Sequence, residues 1–251
     1  MDYHTSTCLN CNHEITGKYC SNCGQSADTH RLSFSHFIAH DVVHGMFHLD
    51  KGLIFTLKQV LVRPGYAALD YIAGKRKNFY NFFYLILLLV GFYSLVGKLN
   101  GSLFPQLKGP EVEDQTGIND FLTHYSKFVL IAFVPVISLN SFLLYRRAKL
   151  NYLEHVIVTV LAFIGVLIVF ILGRILEPLE LLKVSFLDSL LGWGQFLAVA
   201  VYTNLSFYQA FKNYYSQKGI FLRFVGFCFM VIAEIVLFLI LLIGIFVAKK
   251  G

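Results

Sequence analysis

Charge is scarce in this 251-residue chain: Asp, Glu, Lys and Arg make up 14% of it, against roughly 25% in an ordinary soluble domain. With 56% of residues hydrophobic and a mean hydropathy of +0.62, there are too few polar groups to keep one soluble globule wetted, and that class is excluded. The opening MDYHTSTCLNCNHEITG lacks the basic start and apolar run of roughly 7 to 15 residues that a secretory leader needs, so cleavage is not expected. No internal repeat, low-complexity tract or complete catalytic motif is visible. The net charge of +6 is better explained by basic residues at the ends of membrane spans than by nucleic acid, which is not expected as a partner.

What is present is unevenly placed. Residues 1–78 are polar and basic, and long apolar runs begin near Phe79. The division is therefore residues 1–27, 28–78 and 79–251, and the fold class is an all-α polytopic membrane protein. Crossing a bilayer takes roughly 17 to 25 mostly apolar residues. Five stretches qualify, at about 80–97, 127–145, 155–173, 189–211 and 220–248. The second contains Pro135 and Asn140, which neighbouring helices can accommodate. Lys and Arg exceed Asp and Glu on the side holding the N-terminal segment and the loops near 145–154 and 211–223, whereas the other side is balanced. The basic side is expected to be cytoplasmic, with the C-terminus outside and the chain in a bacterial inner membrane. The 98–126 connection reads as an outer loop, and residues 174–188 as a short amphipathic segment on that face.

Cys8-x2-Cys11 and Cys20-x2-Cys23 are two knuckles eight residues apart. Four thiolates so spaced can converge tetrahedrally on Zn²⁺, and a reducing compartment argues against disulfides. With all four ligands from cysteine the metal would be structural, supplying most of the folding free energy of a segment with almost no core. Gly24 after the second knuckle and Gly17 between the pair suit tight turns. Cys228 in the last span reads as a small apolar residue.

Residues 31–65 read as one or two amphipathic helices, with Phe34, Phe37, Ile38, Val42, Phe47, Leu49, Leu53, Leu57 and Leu61 on the apolar side, ending at Pro64 and Gly65. They would lie on the membrane surface or pack beneath the spans. His36, His40, His44 and His48 recur every four residues, so consecutive pairs share a helix face. His40-Asp41-Val42-Val43-His44 has the shape of the H-E-x-x-H metallohydrolase motif with Asp as the shorter base. The plainer alternative is that these histidines are interfacial packing residues.

Three further constellations stand out. Arg63, Lys75 and Arg76 precede the aromatic run Phe79 to Tyr84, which suits helix anchoring or a headgroup site. Glu154 and His155 open the third span and could join His40, His44 and His48 in a second metal site, with Asp41 or Glu154 as general base, or simply begin a helix. Glu234 sits near the middle of the last span, where a carboxylate is costly and points to a hydrogen bond, with Asn140 or Asn204 as partners, or to proton or ion transfer.

Taken together, Cys20 to Gln25, Asp50 to Gly52, Arg63 to Gly65, Tyr71 to Arg76 and Asn151 to His155 resemble the bacterial membrane-protein family catalogued as domain of unknown function 3667. That resemblance implies a ribbon followed by membrane helices and no established activity. The chain departs from it in carrying Asn81 where the family often has proline before the first span. The leading functional expectation is a non-enzymatic docking or regulatory platform for a protein partner or lipid headgroups, compatible with a homo-oligomer. A membrane-embedded metal-dependent hydrolase is the alternative, and a proton- or ion-coupled transporter using Glu234 the third.

Overall fold

The computed structural model describes residues 6–27, 29, 51–107 and 118–248. The ribbon begins with a two-stranded antiparallel hairpin, β1 (Ser6–Thr7) and β2 (Glu14–Ile15), in which Ser6 faces Ile15 and Thr7 faces Glu14. Its core is little more than Cys8, Cys20 and Ile15, too small to hold a fold by burial alone.

Beyond the ribbon seven α-helices are described: α1 (Lys51–Val62), α2 (Pro64–Ile72), α3 (Phe82–Leu103), α4 (Ile118–Leu144), α5 (Tyr152–Leu176), α6 (Ser185–Phe211) and α7 (Gln217–Ala248). Helix α5 is the column of the bundle and packs against α2, α3, α4 and α6. Its first turn carries a full capping box: Glu154 N donates to Asn151 Oδ1 at 2.9 Å, and Asn151 N donates to Glu154 Oε2 at 2.7 Å. This arrangement satisfies two otherwise orphaned donors. Asn81 caps α3 in the same spirit, accepting from Phe83 N and Tyr84 N. The departure from proline at this position thus exchanges a residue with no N–H to satisfy for one whose side chain supplies an acceptor.

Pro64 does not end the amphipathic segment. It closes α1 and opens α2 from the first-turn position, where its missing N–H costs nothing. Helix α2 is wedged against α5 and α6, with Pro64, Gly65, Ala67, Ala68 and Tyr71 buried, so this part of the segment packs beneath the bundle. On α1 the buried stripe runs through Thr56 and Val60, both fully buried, while Leu61, expected on that face, is half-exposed. Thr56 is inward because its hydroxyl accepts from Tyr80 N at 2.7 Å. Pro135 lies inside α4, and its carbonyl accepts from Tyr152 Oη at 2.8 Å.

Three helical stretches among the described residues are long and apolar enough to cross a membrane: Phe82–Leu103, Tyr152–Leu182 and Gln217–Ile245. They correspond to the first, third and fifth expected spans. On α4 the described apolar stretch is the shorter Ala132–Leu144, and five spans remain an expectation. The last is the most exposed, with Phe229, Ile232, Leu237 and Ile240 all more than half accessible, as befits a surface solvated by lipid tails.

Gly65 measures how closely α2 approaches α6. A Cβ there would lie 2.3 Å from Ser206 O and 2.5 Å from Ala210 N, both backbone atoms that cannot step aside. Gly65→Ala is expected to destabilise the bundle by about 1–3 kcal/mol, read as a lowered melting temperature in detergent. Gly91→Ala, with nothing within 4 Å of its added methyl, should leave the melting temperature unchanged.

Candidate metal centre and its membrane-side contacts

The two knuckles are built alike. In the first, Asn12 N donates to Cys8 O and Cys8 N to His13 O; in the second, Gly24 N donates to Cys20 O and Cys20 N to Gln25 O, all at 2.8 Å. The residue after each second cysteine takes the left-handed conformation, with φ of 59° at Asn12 and 74° at Gly24. Asparagine and glycine are the residues that reach this region at least cost. Gly17, expected to share this duty, is not among the positive-φ residues; Asn12 fills the role.

The turns bring Cys8, Cys11, Cys20 and Cys23 together, with all four Sγ atoms within 4.8 Å of one another and no disulfide. Cys8 Sγ lies 3.6 Å from Cys23 Sγ, and Cys11 Sγ 3.5 Å from Cys20 Sγ. A tetrahedron of metal–sulfur bonds of about 2.3 Å has edges of about 3.8 Å, so the tetrad fits a thiolate-bound ion and leaves no position for a substrate. Burial pushes the Cys8 thiol up to about 11, against the N–H groups of Asn10 and Cys11. Burial also acts upward on Cys23, but hydrogen bonds from the Gln25 backbone and from the Asn10, Cys8 and Cys11 side chains outweigh it and bring Cys23 down to about 6. For Cys20 the Cys23 N–H dominates and lowers the thiol. Backbone donors aimed at sulfur favour the thiolate form a metal requires.

The ribbon is fastened to the stretch that leads into α3. The Gln25 side chain is buried, and its Nε2 donates to Gly74 O at 2.9 Å while its Oε1 accepts from Arg76 N and Lys77 N, each at 3.2 Å. Beside this clip Leu9 lies against Gly74, where an added Cβ would come within 2.5 Å of Leu9 Cδ1 and where φ is +96°. Glycine is therefore required at Gly74 both for conformation and for the ribbon's approach. Neither contact was foreseen from sequence, although Gln25 and Gly74 both lie inside stretches that carry the family resemblance.

The other expected site residues are dispersed. Arg63 and Lys75 share Asp70, Nη2 to Oδ2 at 2.8 Å and Nζ to Oδ1 at 2.7 Å. Arg76 turns to Tyr71, donating to its carbonyl and lying 5.3 Å from its ring centre. Glu154 and His155 are adjacent but diverge: the Glu154 carboxylate closes the capping box, while His155 Nδ1 meets Ser141 Oγ at 2.8 Å and its ring stacks on Phe211. Both are buried, which closes them to any reacting group. Glu234 Oε2 is buried without a hydrogen-bond partner, and no bond to Asn140 or Asn204 occurs among the described residues. His36, His40, Asp41, His44 and His48 lie outside the described residues. Among the described residues the cysteine tetrad is the one group fitted to hold a metal.

These features define a helical membrane-type protein with a four-cysteine cluster at its N-terminal end that could hold a metal ion. Residues 50–93 match the model of the family described as Protein of unknown function (DUF3667). The matched stretch takes in Asp50 to Gly52, Arg63 to Gly65 and Tyr71 to Arg76, and so includes the side of the clip that receives Gln25. No curated protein and no solved structure matches the chain.

Metal binding should strengthen as pH rises through the neutral range. Cys8, with its thiol near 11, still carries a proton that the ion must displace, whereas Cys23, near 6, has already lost its own. Titration of metal-free protein at several pH values should show proton release and rising affinity. Loss of affinity with rising pH would contradict the thiolate site.

Proposed function

We propose that the chain is a five-span protein of a bacterial inner membrane, N-terminus cytoplasmic, whose ribbon binds one structural Zn²⁺ and serves as a docking platform for a protein partner. The observation that carries this reading is the Gln25 clip, which holds the ribbon at a fixed place beside the first span rather than on a free tether. A fixed module can present a surface without being reordered on each encounter. On the ribbon's outward side Tyr19 is 67% exposed, an aromatic of the kind that anchors interfaces. A saturated four-thiolate site suits a scaffold better than a catalyst.

Membrane lipids are a second partner in this reading, contacted by the exposed Lys77, Arg146, Arg147 and Lys149 at the same end of the bundle. Arg63 and Lys75 are less suited to headgroups, since both oxygens of Asp70 already engage them. The hydrolase reading loses support at Glu154, whose carboxylate caps α5, and at His155, which is enclosed.

A photo-crosslinking residue at position 19, introduced into the protein in its native membrane, tests the platform. A discrete adduct that disappears when Cys20→Ser removes the metal site, while the protein stays in the membrane, is the expected result. No adduct at position 19, or one indifferent to Cys20→Ser, would remove the docking role.

A further inference from the structure

At the end of α3 and α5 opposite the ribbon lies a recess of about 150 Å³ with mainly polar walls. Its floor is Arg174, whose Nη1 donates to Glu177 Oε1 at 2.7 Å and whose guanidinium lies 5.7 Å from the Tyr93 ring centre. Asn100 Nδ2 reaches the other Glu177 oxygen at 3.0 Å and Arg174 O at 2.6 Å. Gly97 makes room for the guanidinium, since a Cβ there would lie 2.9 Å from Nη2. Both oxygens of Glu177 are thereby engaged, whereas Arg174 keeps 36% of its side chain accessible, although its Nε is itself buried without an acceptor among the described residues. Gln195 closes the recess by packing on Gly173. Glu180 completes it, exposed and without an ion pair among the described residues.

The recess therefore offers N–H donors from a guanidinium and an amide, and one carboxylate with no cation to balance it. It sits against lipid-type surface, with Leu172, Trp193 and Phe196 all more than half exposed nearby. An anion alone would leave Glu180 facing like charge, and a cation alone would meet the accessible part of the Arg174 guanidinium. A compact zwitterion satisfies both, and a primary ammonium can donate hydrogen bonds to a carboxylate where a trimethylammonium cannot.

We propose that this recess binds the phosphate–ethanolamine headgroup of a zwitterionic phospholipid in the outer leaflet, with phosphate on Arg174 and Gln195 and ammonium on Glu180. The acyl chains run down the exposed faces of α5 and α6. This site is separate from the ribbon platform, and only its placement in the outer leaflet rests on the proposed orientation.

The test uses the full chain reconstituted in vesicles of equal parts phosphatidylethanolamine, phosphatidylcholine and phosphatidylglycerol, extracted with mild detergent, with retained lipid measured by mass spectrometry. Phosphatidylethanolamine should be enriched about tenfold over phosphatidylcholine, the discrimination one charge-assisted hydrogen bond supplies. The enrichment should vanish in Glu180→Gln and in Arg174→Gln. Glu180 is exposed, so its variant should keep the wild-type melting temperature and isolate binding from folding. Retention that mirrors the vesicle composition, enrichment of phosphatidylglycerol instead, or enrichment unaffected by either variant would overturn the proposal. Soluble phosphoethanolamine forms the second arm: it should fail to displace a ligand that also binds through its acyl chains. Displacement at equal concentration would assign the recess to the free headgroup and overturn the lipid.

Discussion

A single amide, that of Gln25, determines how the two parts of this protein relate. The chain turns into its first span through residues 73–81, where the Gln25 side chain, buried itself, meets three backbone groups. These are Gly74 O, Arg76 N and Lys77 N. Each such bond nets about 0.5–1.5 kcal/mol, and for the buried one, to Gly74 O, leaving a partner unmet would cost about 1–3 kcal/mol. The same residue gives its backbone N–H to Cys23 and its carbonyl to Cys20 N. A metal held by the four thiolates would stiffen the knuckle and with it the clip, while Leu9 against Gly74 gives the ribbon a second contact with the same stretch.

The bundle continues the pattern of polar side chains serving backbone groups at the turns. Thr56 accepts from Tyr80 N, Tyr202 Oη donates to Val60 O, Tyr215 Oη accepts from Arg147 N, and Asn81 and Asn151 cap the helices that follow them. Such bonds matter more than usual where water is excluded, because the alternative is an unmet group in an apolar medium. Close helix contacts follow from small residues at the crossings. A Cβ on Gly165 would lie 2.0 Å from the Tyr202 ring, so α5 can accept that ring only where it has no side chain of its own.

The cysteine spacing, the all-helical class and three of the spans were legible in the sequence, because thiolate pairs and long apolar runs are local signals. Gly24 was legible as a turn residue, but the first knuckle's left-handed residue, Asn12, was not, because asparagine reaches that region without being marked for it as glycine is. On α1 the choice of Thr56 and Val60 over Leu61 came from a tertiary hydrogen bond that periodicity does not contain. Gln25 and Gly74 lie 49 residues apart, a separation that pattern reading does not bridge. Arg63, Lys75 and Arg76 were legible as a basic cluster, but their partners, Asp70 and Tyr71, emerged only once the turn was built.

Coupling between the cysteine cluster and the bundle requires that the ribbon be clamped to the chain leading into α3. Amide hydrogen exchange at Arg76 and Lys77 reads this directly, since both N–H groups are held by Gln25 Oε1. In metal-loaded wild type these two amides should exchange slowly, and in Gln25→Ala or after chelation they should exchange at least about tenfold faster while the amides within α5 are unaffected. Equal exchange at Arg76 and Lys77 in all three states would mean that the ribbon is free of the bundle, and the coupling between metal site and membrane helix would have to be abandoned.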